Sequence, residues 1–312
     1  MLAAIVLLVV VIFAGLAAML ALAPKPPAPL AFIATALDGV DFSDMPQASH
    51  FCARDGTRLA YRVYPSDPSK TAVLIHGSSG TSASMHAVAR AIHAKGWSVC
   101  ALSMRGHDHT GREGDIAYVG QLDDDLADFM KTLPARGERV LLGFSSGGGF
   151  VLRIAGGANA KLFDRFILVS PQLPAGSPVM RTNAGGWVSV GLPRIIALSI
   201  LSRFGIHAFE GLTTLRFAVA PENRDIQTAH YSFRMMRNFG PSDDYTGDLA
   251  RAPGPVALLA GDSDELFYAG KYESTLRRDD LKIVMLSGLG HMAMTVNHRA
   301  LTAIAEAVQP TS

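Results

Sequence analysis

Residues 140–150 read "VLLGFSSGGGF", two adjacent serines between an apolar run and three glycines. Gly143, Ser145 and Gly147 form a G-x-S-x-G pattern, the spacing that presents a serine hydroxyl on a sharp strand-to-helix turn. Such a turn needs small residues two before and two after the nucleophile, because larger side chains would strike the neighbouring strand or helix. Only Ser145 has glycine at both places; centring the pattern on Ser146 puts Phe144 where a small residue is required. Ser145 is therefore the candidate nucleophile, and the side chain of Ser146 is expected to be dispensable. The competing reading is a plain Ser/Gly cap on a helix that follows a strand.

Attack on a carbonyl also needs a base, a group that orients the base, and donors for the oxyanion. "LSGLGHMAM" places His291 just past an apolar run, where it can serve as general base. "LLAGDSDELF" places Asp262, Asp264 and Glu265 just past another, and each is available to orient an imidazole. Serine, acid, histidine is the chain order that accompanies a G-x-S-x-G turn. In "LIHGSSG" a glycine-containing turn can aim the Ser78 backbone N–H at the nucleophile, with the Ser146 N–H as its partner. His76 is expected to be a structural, hydrogen-bonding histidine. "HDH" at 107–109 reads as a loop with a structural histidine, since no carboxylate-rich segment completes a metal site. "QLDDDLADF" reads as an acidic first helical turn, not a calcium loop. No cofactor and no metal is expected.

These groups must be placed by regular elements. "HFCARDGTRLAYRVYPS" reads as two strands around the Asp55-Gly56 turn. "TAVLIHG", "WSVCALSMRG", "RVLLGF", "RFILVSP", "PVALLAG" and "LKIVMLSG" are short apolar runs suited to buried strands. Between them stand helical patterns: "SASMHAVARAIHAKG" with Gly96 as its cap, "GQLDDDLADFMKTL", "GGGFVLRIAGG", "YAGKYESTLRR" and, last, "HRALTAIAEAVQ". The alternation predicts an α/β domain with a mostly parallel twisted sheet and helices on both faces. It breaks over 172–251, read as an inserted helical cap. There Leu192, Ile195, Ile196, Leu198, Ile200, Leu201 and Phe204 are candidates for an acyl pocket, a bilayer contact or the cap's own core.

The chain has 312 residues, enough for one large α/β domain with a substantial core. A net charge of +1 and the lack of a basic stripe exclude nucleic acid as a partner. Residues 1–23 carry no charged side chain and are long enough to cross ~30 Å of hydrocarbon as a helix. They read as a single-pass transmembrane anchor; a cleaved signal peptide and a secreted protein form the alternative, disfavoured by the length of the run and by Pro24 after Ala23. Lys25 alone supplies side-chain charge near the span, too little to set its orientation. Residues 24–49 read as a proline-rich spacer, and 50–312 as the catalytic domain. Cys52 and Cys100 have no metal-ligand spacing and are expected to be small buried hydrophobes; a disulfide between them would require an oxidising compartment.

From about residue 50 to 310 the HG turn, the G-x-S-x-G turn, "GDSDELF" and "GLGH" follow in an order that resembles the α/β-hydrolase superfamily. "HGSSGTSASMHAVARAIHAKGWSVCALSMRGH" is most similar to the branch containing monoacylglycerol lipases, lysophospholipases and S33-type serine peptidases. That resemblance implies the α/β-hydrolase fold and points from Gly261 to Asp264 as the acid. It departs at "MRGHDHTGREGD", where Asp108 stands in a position that is commonly glycine in the branch. It implies a serine hydrolase acting through an acyl-enzyme on Ser145, with an ester substrate, lipid-derived or hydrophobic because an apolar cap accompanies an anchor. A peptidase or amidase of the same fold and a non-catalytic, membrane-tethered binding protein are the alternatives.

Overall fold

The computed structural model describes residues 1–134 and 137–309; residues 310–312 of the expected catalytic domain lie outside the described residues. Among the described residues there are eleven strands: β1 Ser49–Cys52, β2 Arg58–Tyr64, β3 Asp67–Ile75, β4 Trp97–Leu102, β5 Glu138–Phe144, β6 Arg165–Val169, β7 Val188–Val190, β8 Thr213–Phe217, β9 His230–Ser232, β10 Val256–Gly261 and β11 Lys282–Leu286. Eight of them form one sheet in the order β1-β2-β4-β3-β5-β6-β10-β11. β1 and β2 are antiparallel to their neighbours, and every pair from β4 to β11 is parallel.

The uninterrupted apolar runs mark strands buried on both faces. β10 is buried at every position, and so is the second half of β3. Alternate residues of β3 feed separate cores: Val73 and Ile75 point to one, Ala72 and Leu74 to the other. Helices Gln121–Met130 and Ser146–Gly156 cover the first face through Leu122, Leu126, Phe150 and Val151. Helices His86–His93 and His298–Val308 cover the second through Val88, Ile92 and Ile304. Gly96 takes φ 85° just past the first of these, as its place in the sequence predicts.

The β1–β2 turn is anchored at a distance. Arg105 makes a two-point ion pair with Asp125 (2.7 and 2.8 Å) and reaches Asp55 at the hairpin tip (2.9 Å). Arg105 and Asp125 are each only 6% exposed, so Asp125 without Arg105 would be an unpaired buried charge.

The structure departs from expectation in four places. The insert carries the expected helix, Leu192–Arg203, but also an antiparallel sheet of β7, β8 and β9. Its strands are three to five residues long and pair only with one another, too short for periodicity to reveal. "YAGKYESTLRR" yields only a 3₁₀ turn and the short helix Tyr272–Thr275. Cys100 is buried as expected, but Cys52 ends an edge strand and is exposed; both are free thiols. Residues 24–49 are not a free spacer. Ile33, in the short helix Ala31–Ala34, is buried in the main core, and Asp41 O lies 3.0 Å from His86 Nε2.

Within the apolar run 1–23, Leu2–Ala21 forms a 20-residue helix, and none of it is buried. Its hydropathy of 3.0 fits a membrane span or a signal sequence. Its C-terminal end meets the cap, where Arg194 Nε donates to Leu20 O (2.7 Å) and Gly191 faces Pro24.

Arg105→Met is expected to lower unfolding stability by about 3–5 kcal/mol because it strands the Asp125 carboxylate. Urea denaturation measures it, and adding Asp125→Leu should recover most of the loss.

Candidate active site

Four loops at the carboxyl ends of β3, β5, β10 and β11 converge, the place where an open parallel sheet binds ligands. Ser145 leaves β5 at φ 55°, ψ −118°, a conformation that non-glycine residues rarely adopt, and helix Ser146–Gly156 starts at once. The turn is tied on both sides: Ser145 N donates to Val169 O (2.9 Å), while Gly149 N and Gln172 N donate to Ser145 O (3.0 and 2.9 Å). A Cβ on Gly143 would run into the Gly147 carbonyl, and one on Gly147 into the carbonyls of Ile75 and His76. Gly148 and Gly149 have the same role further along, facing Pro171 and then Pro241 and the Gln172 carbonyl. Ser146 lies behind Ser145, and its hydroxyl donates to Gln172 Oε1 (2.6 Å), so its side chain is engaged.

The three candidate carboxylates divide one task. Asp264 Oδ2 lies 2.7 Å from His291 Nδ1, with both side chains fully buried. Glu265 Oε2 accepts the backbone N–H of His291 (2.7 Å), and Asp262 Oδ1 accepts that of Gly288 (2.7 Å). One carboxylate thus holds the ring, one its backbone and one the preceding turn. Burial pushes the Asp264 carboxyl up, but the His291 imidazole and the N–H groups of Leu266 and Phe267 outweigh it and hold the group below its ordinary value. The rings of Phe144 (4.8 Å) and Phe267 (5.0 Å) flank His291. Its Nε2 is buried and makes no hydrogen bond among the described residues, and it shares a cavity with Ser145. An unpartnered buried nitrogen beside a hydroxyl is what a general base requires.

Ser78 lies next to Ser145 at the end of β3, and among the described residues neither the Ser78 nor the Ser146 N–H has a backbone acceptor. The insert supplies what the sequence did not reveal. Trp187 Nε1 donates to Ser78 Oγ (2.9 Å), and Ser79, at φ 64°, donates its N–H to Tyr231 Oη (3.1 Å) and its hydroxyl to Thr228 O (2.5 Å). Thr228 N donates back to Ser79 O (3.3 Å). The loop is therefore fastened from above by the cap.

Beneath it, two neutral histidines complete the network. His76 donates from Nδ1 to Gly77 O (2.7 Å) and accepts Met104 N–H at Nε2 (3.1 Å). His107 accepts the Tyr231 hydroxyl at Nε2 (2.7 Å), while its Nδ1 faces Met104 O (3.1 Å). His109 is exposed, on the other side of the loop from the buried His107. Asp108 takes φ 52° and accepts the Ser103 hydroxyl (2.7 Å), so an aspartate occupies the left-handed position without glycine. Of the three roles open to the apolar residues of 192–204, lining an acyl pocket is not the one seen at Ser145: Leu198 and Leu201 are buried within the cap, Ile195 is half-buried, Leu192, Ile196, Ile200 and Phe204 are exposed, and none lines the cavities there. The cap's sheet lines them instead, through Val188, Leu215 and Phe217.

Burial pushes the His76 imidazole down to about 4 and, with His76 alongside, that of His107 to about 3. The unfolded chain, with histidines near 6.5, therefore binds more protons than the folded one between those limits. Stability should be full above about pH 6.5 and fall on acidification, by up to about 1.4 kcal/mol per pH unit for each histidine. Melting temperatures across pH 7 to 4 measure it, and a flat profile would contradict it.

The family model described as "Serine aminopeptidase, S33" matches residues 66–295. The curated proteins hold no significant match to the sequence. Among solved structures, the monoacylglycerol lipase of Paleococcus ferrophilus is similar at TM-score 0.60 and 20% identity, over 80% of this chain and 98% of that one. A soluble variant of the Saccharomyces cerevisiae monoglyceride lipase aligns at TM-score 0.60 and 16% identity, over 84% and 93%. A thermophilic esterase from Thermogutta terrifontis aligns at 0.57 and 18%, over 83% and 97%. At such identities the structures speak for the α/β-hydrolase fold alone.

Proposed function

Since the chain belongs to the S33 serine aminopeptidase family of α/β hydrolases, we propose that it is a serine hydrolase that cleaves carboxylic esters through an acyl-enzyme on Ser145. The observation that carries this reading is the buried Asp264–His291 pair whose free Nε2 shares a cavity with the strained Ser145. His291 Nε2 takes the Ser145 proton as Oγ bonds to the acyl carbon. Asp264 holds the imidazole in the tautomer with Nδ1 protonated and stabilises the imidazolium that forms. The Ser78 and Ser146 N–H groups receive the oxyanion. As the ester C–O bond breaks, His291 returns the proton to the departing alkoxide, and a water then repeats the cycle on the acyl-enzyme.

A hydrophobic, lipid-derived ester fits the surroundings. The apolar N-terminal helix, read as a membrane anchor, abuts cap helix Leu192–Arg203, which exposes Leu192, Ile196 and Ile200, with Phe204 exposed just past its end. That stripe continues the apolar surface of the anchor and suits a bilayer. The family description favours a second reading, cleavage of amino-terminal amides by the same groups. Activity on amino-acyl arylamides with none on esters would select it.

Ser145→Ala is expected to lower hydrolysis of short-chain p-nitrophenyl esters by at least about 1,000-fold and to abolish fluorophosphonate labelling. Full activity in this variant would remove Ser145 from the reaction. Tyr231→Phe releases the Ser79 N–H, and we expect kcat to fall about 10-fold with KM little changed, because the loss is of oxyanion positioning.

A further inference from the structure

Ser145 lies between two small cavities of about 60 Å³ each. One runs under the cap, lined by Met180, Val188, Leu215, Phe217 and Met236. The other holds His291 and is walled by Ile33, Leu37, Phe144 and Met292, with Ser84 and Thr295 as polar groups. Ser78 and Trp187 line both.

The chemistry tells the two apart. The imidazole that removes the serine proton must hand it to the departing group, so the leaving group sits on the side of His291. Only the second of these cavities is lined by that residue. The first then receives the acyl group, consistent with its thioether and aliphatic lining.

We propose that residues 31–37, between the apolar N-terminal helix and β1, form a wall of the leaving-group subsite and select the alcohol that departs. The proposal rests on the reading of Ser145 and His291 as nucleophile and base. The segment is built in rather than draped over the domain. Ile33 is 9% exposed and belongs to the main core, and Leu30 reaches Gly186 of the cap. The residues that follow are held by Asp44, which pairs with Arg90 (3.2 Å) and His86 (3.2 Å), and by Pro46 O, which accepts from Arg62. The wall also precedes residues 66–295, the part that the family model matches. A cavity of this size and lining takes a compact alcohol, apolar where it faces Ile33 and Leu37.

Two series of esters test this on the full-length protein: one acyl group with leaving alcohols from methanol to benzyl alcohol, and one alcohol with acyl chains of increasing length. Leu37→Trp should lower kcat/KM for benzyl relative to methyl esters by about 10-fold or more and leave the acyl-length profile unchanged. Met180→Trp, in the other cavity, should do the reverse. Should Leu37→Trp not fold, Ile33→Ala and Leu37→Ala should raise the benzyl-to-methyl ratio. An active wild type whose variants scale every ester alike, or whose Leu37 variants change the acyl profile instead, overturns the proposal. A wild type inert to all esters and to fluorophosphonate overturns the serine-hydrolase reading itself, and the proposal with it.

Discussion

The backbone of Ser145 is held at φ 55°, where a non-glycine residue is strained by roughly 1–3 kcal/mol, and the rest of the site depends on that one turn. The strain persists because its surroundings over-determine it. β5 delivers the residue from the middle of the sheet, Val169 O fixes its N–H, and the N–H groups of Gly149 and Gln172 fix its carbonyl. Glycines at 143, 147, 148 and 149 let strand, helix and the Pro171–Gln172 loop close on it without a side chain between them. The same sharp turn starts helix Ser146–Gly156 immediately behind Ser145, which leaves the Ser146 N–H without an intrahelical acceptor.

Around that fixed point the other loops are positioned by hydrogen bonds rather than by packing alone. The 288–291 turn is held by three carboxylates, only one of which touches the imidazole. The Ser78–Ser79 turn is held by Trp187, Thr228 and Tyr231, all from the insert. Cap and Ser78–Ser79 loop therefore form one hydrogen-bonded unit, and a displaced cap would leave the Ser79 N–H and His107 Nε2 without partners. Keeping His76 and His107 neutral is part of that arrangement, since a proton on either would remove an acceptor from the network.

The N-terminal segment ties this machinery to the apolar helix. Its proline-rich composition would suit a tether, but the apolar residues between the prolines, Leu30 and Ile33, find a cap surface and a core to join. Complete burial of an aliphatic side chain such as Ile33 is worth about 1.5–3 kcal/mol, and the half-buried Leu30 adds to it. The distance between the apolar helix and the active site is thereby fixed by packing. The outward stripe of helix Leu192–Arg203 is set beside the apolar N-terminal helix for the same reason.

Local rules made much of this legible in the sequence. Alternating apolar runs and helical patterns determined the α/β fold, because periodicity reports burial directly. G-x-S-x-G determined which serine turns sharply, because the clearance involved spans only a few residues. His291 followed from its place just past a strand. Contacts between distant segments decided the rest. Asp262, Asp264 and Glu265 are adjacent, chemically alike and all used, and only the placement of the β11 loop shows that Asp264 is the one that meets the ring. The sheet of the cap, the exposed Cys52, the role of Tyr231 and the docking of residues 24–49 are decided in the same way. Each depends on a partner far away in the chain, and neither residue type nor spacing encodes which surface a segment will meet.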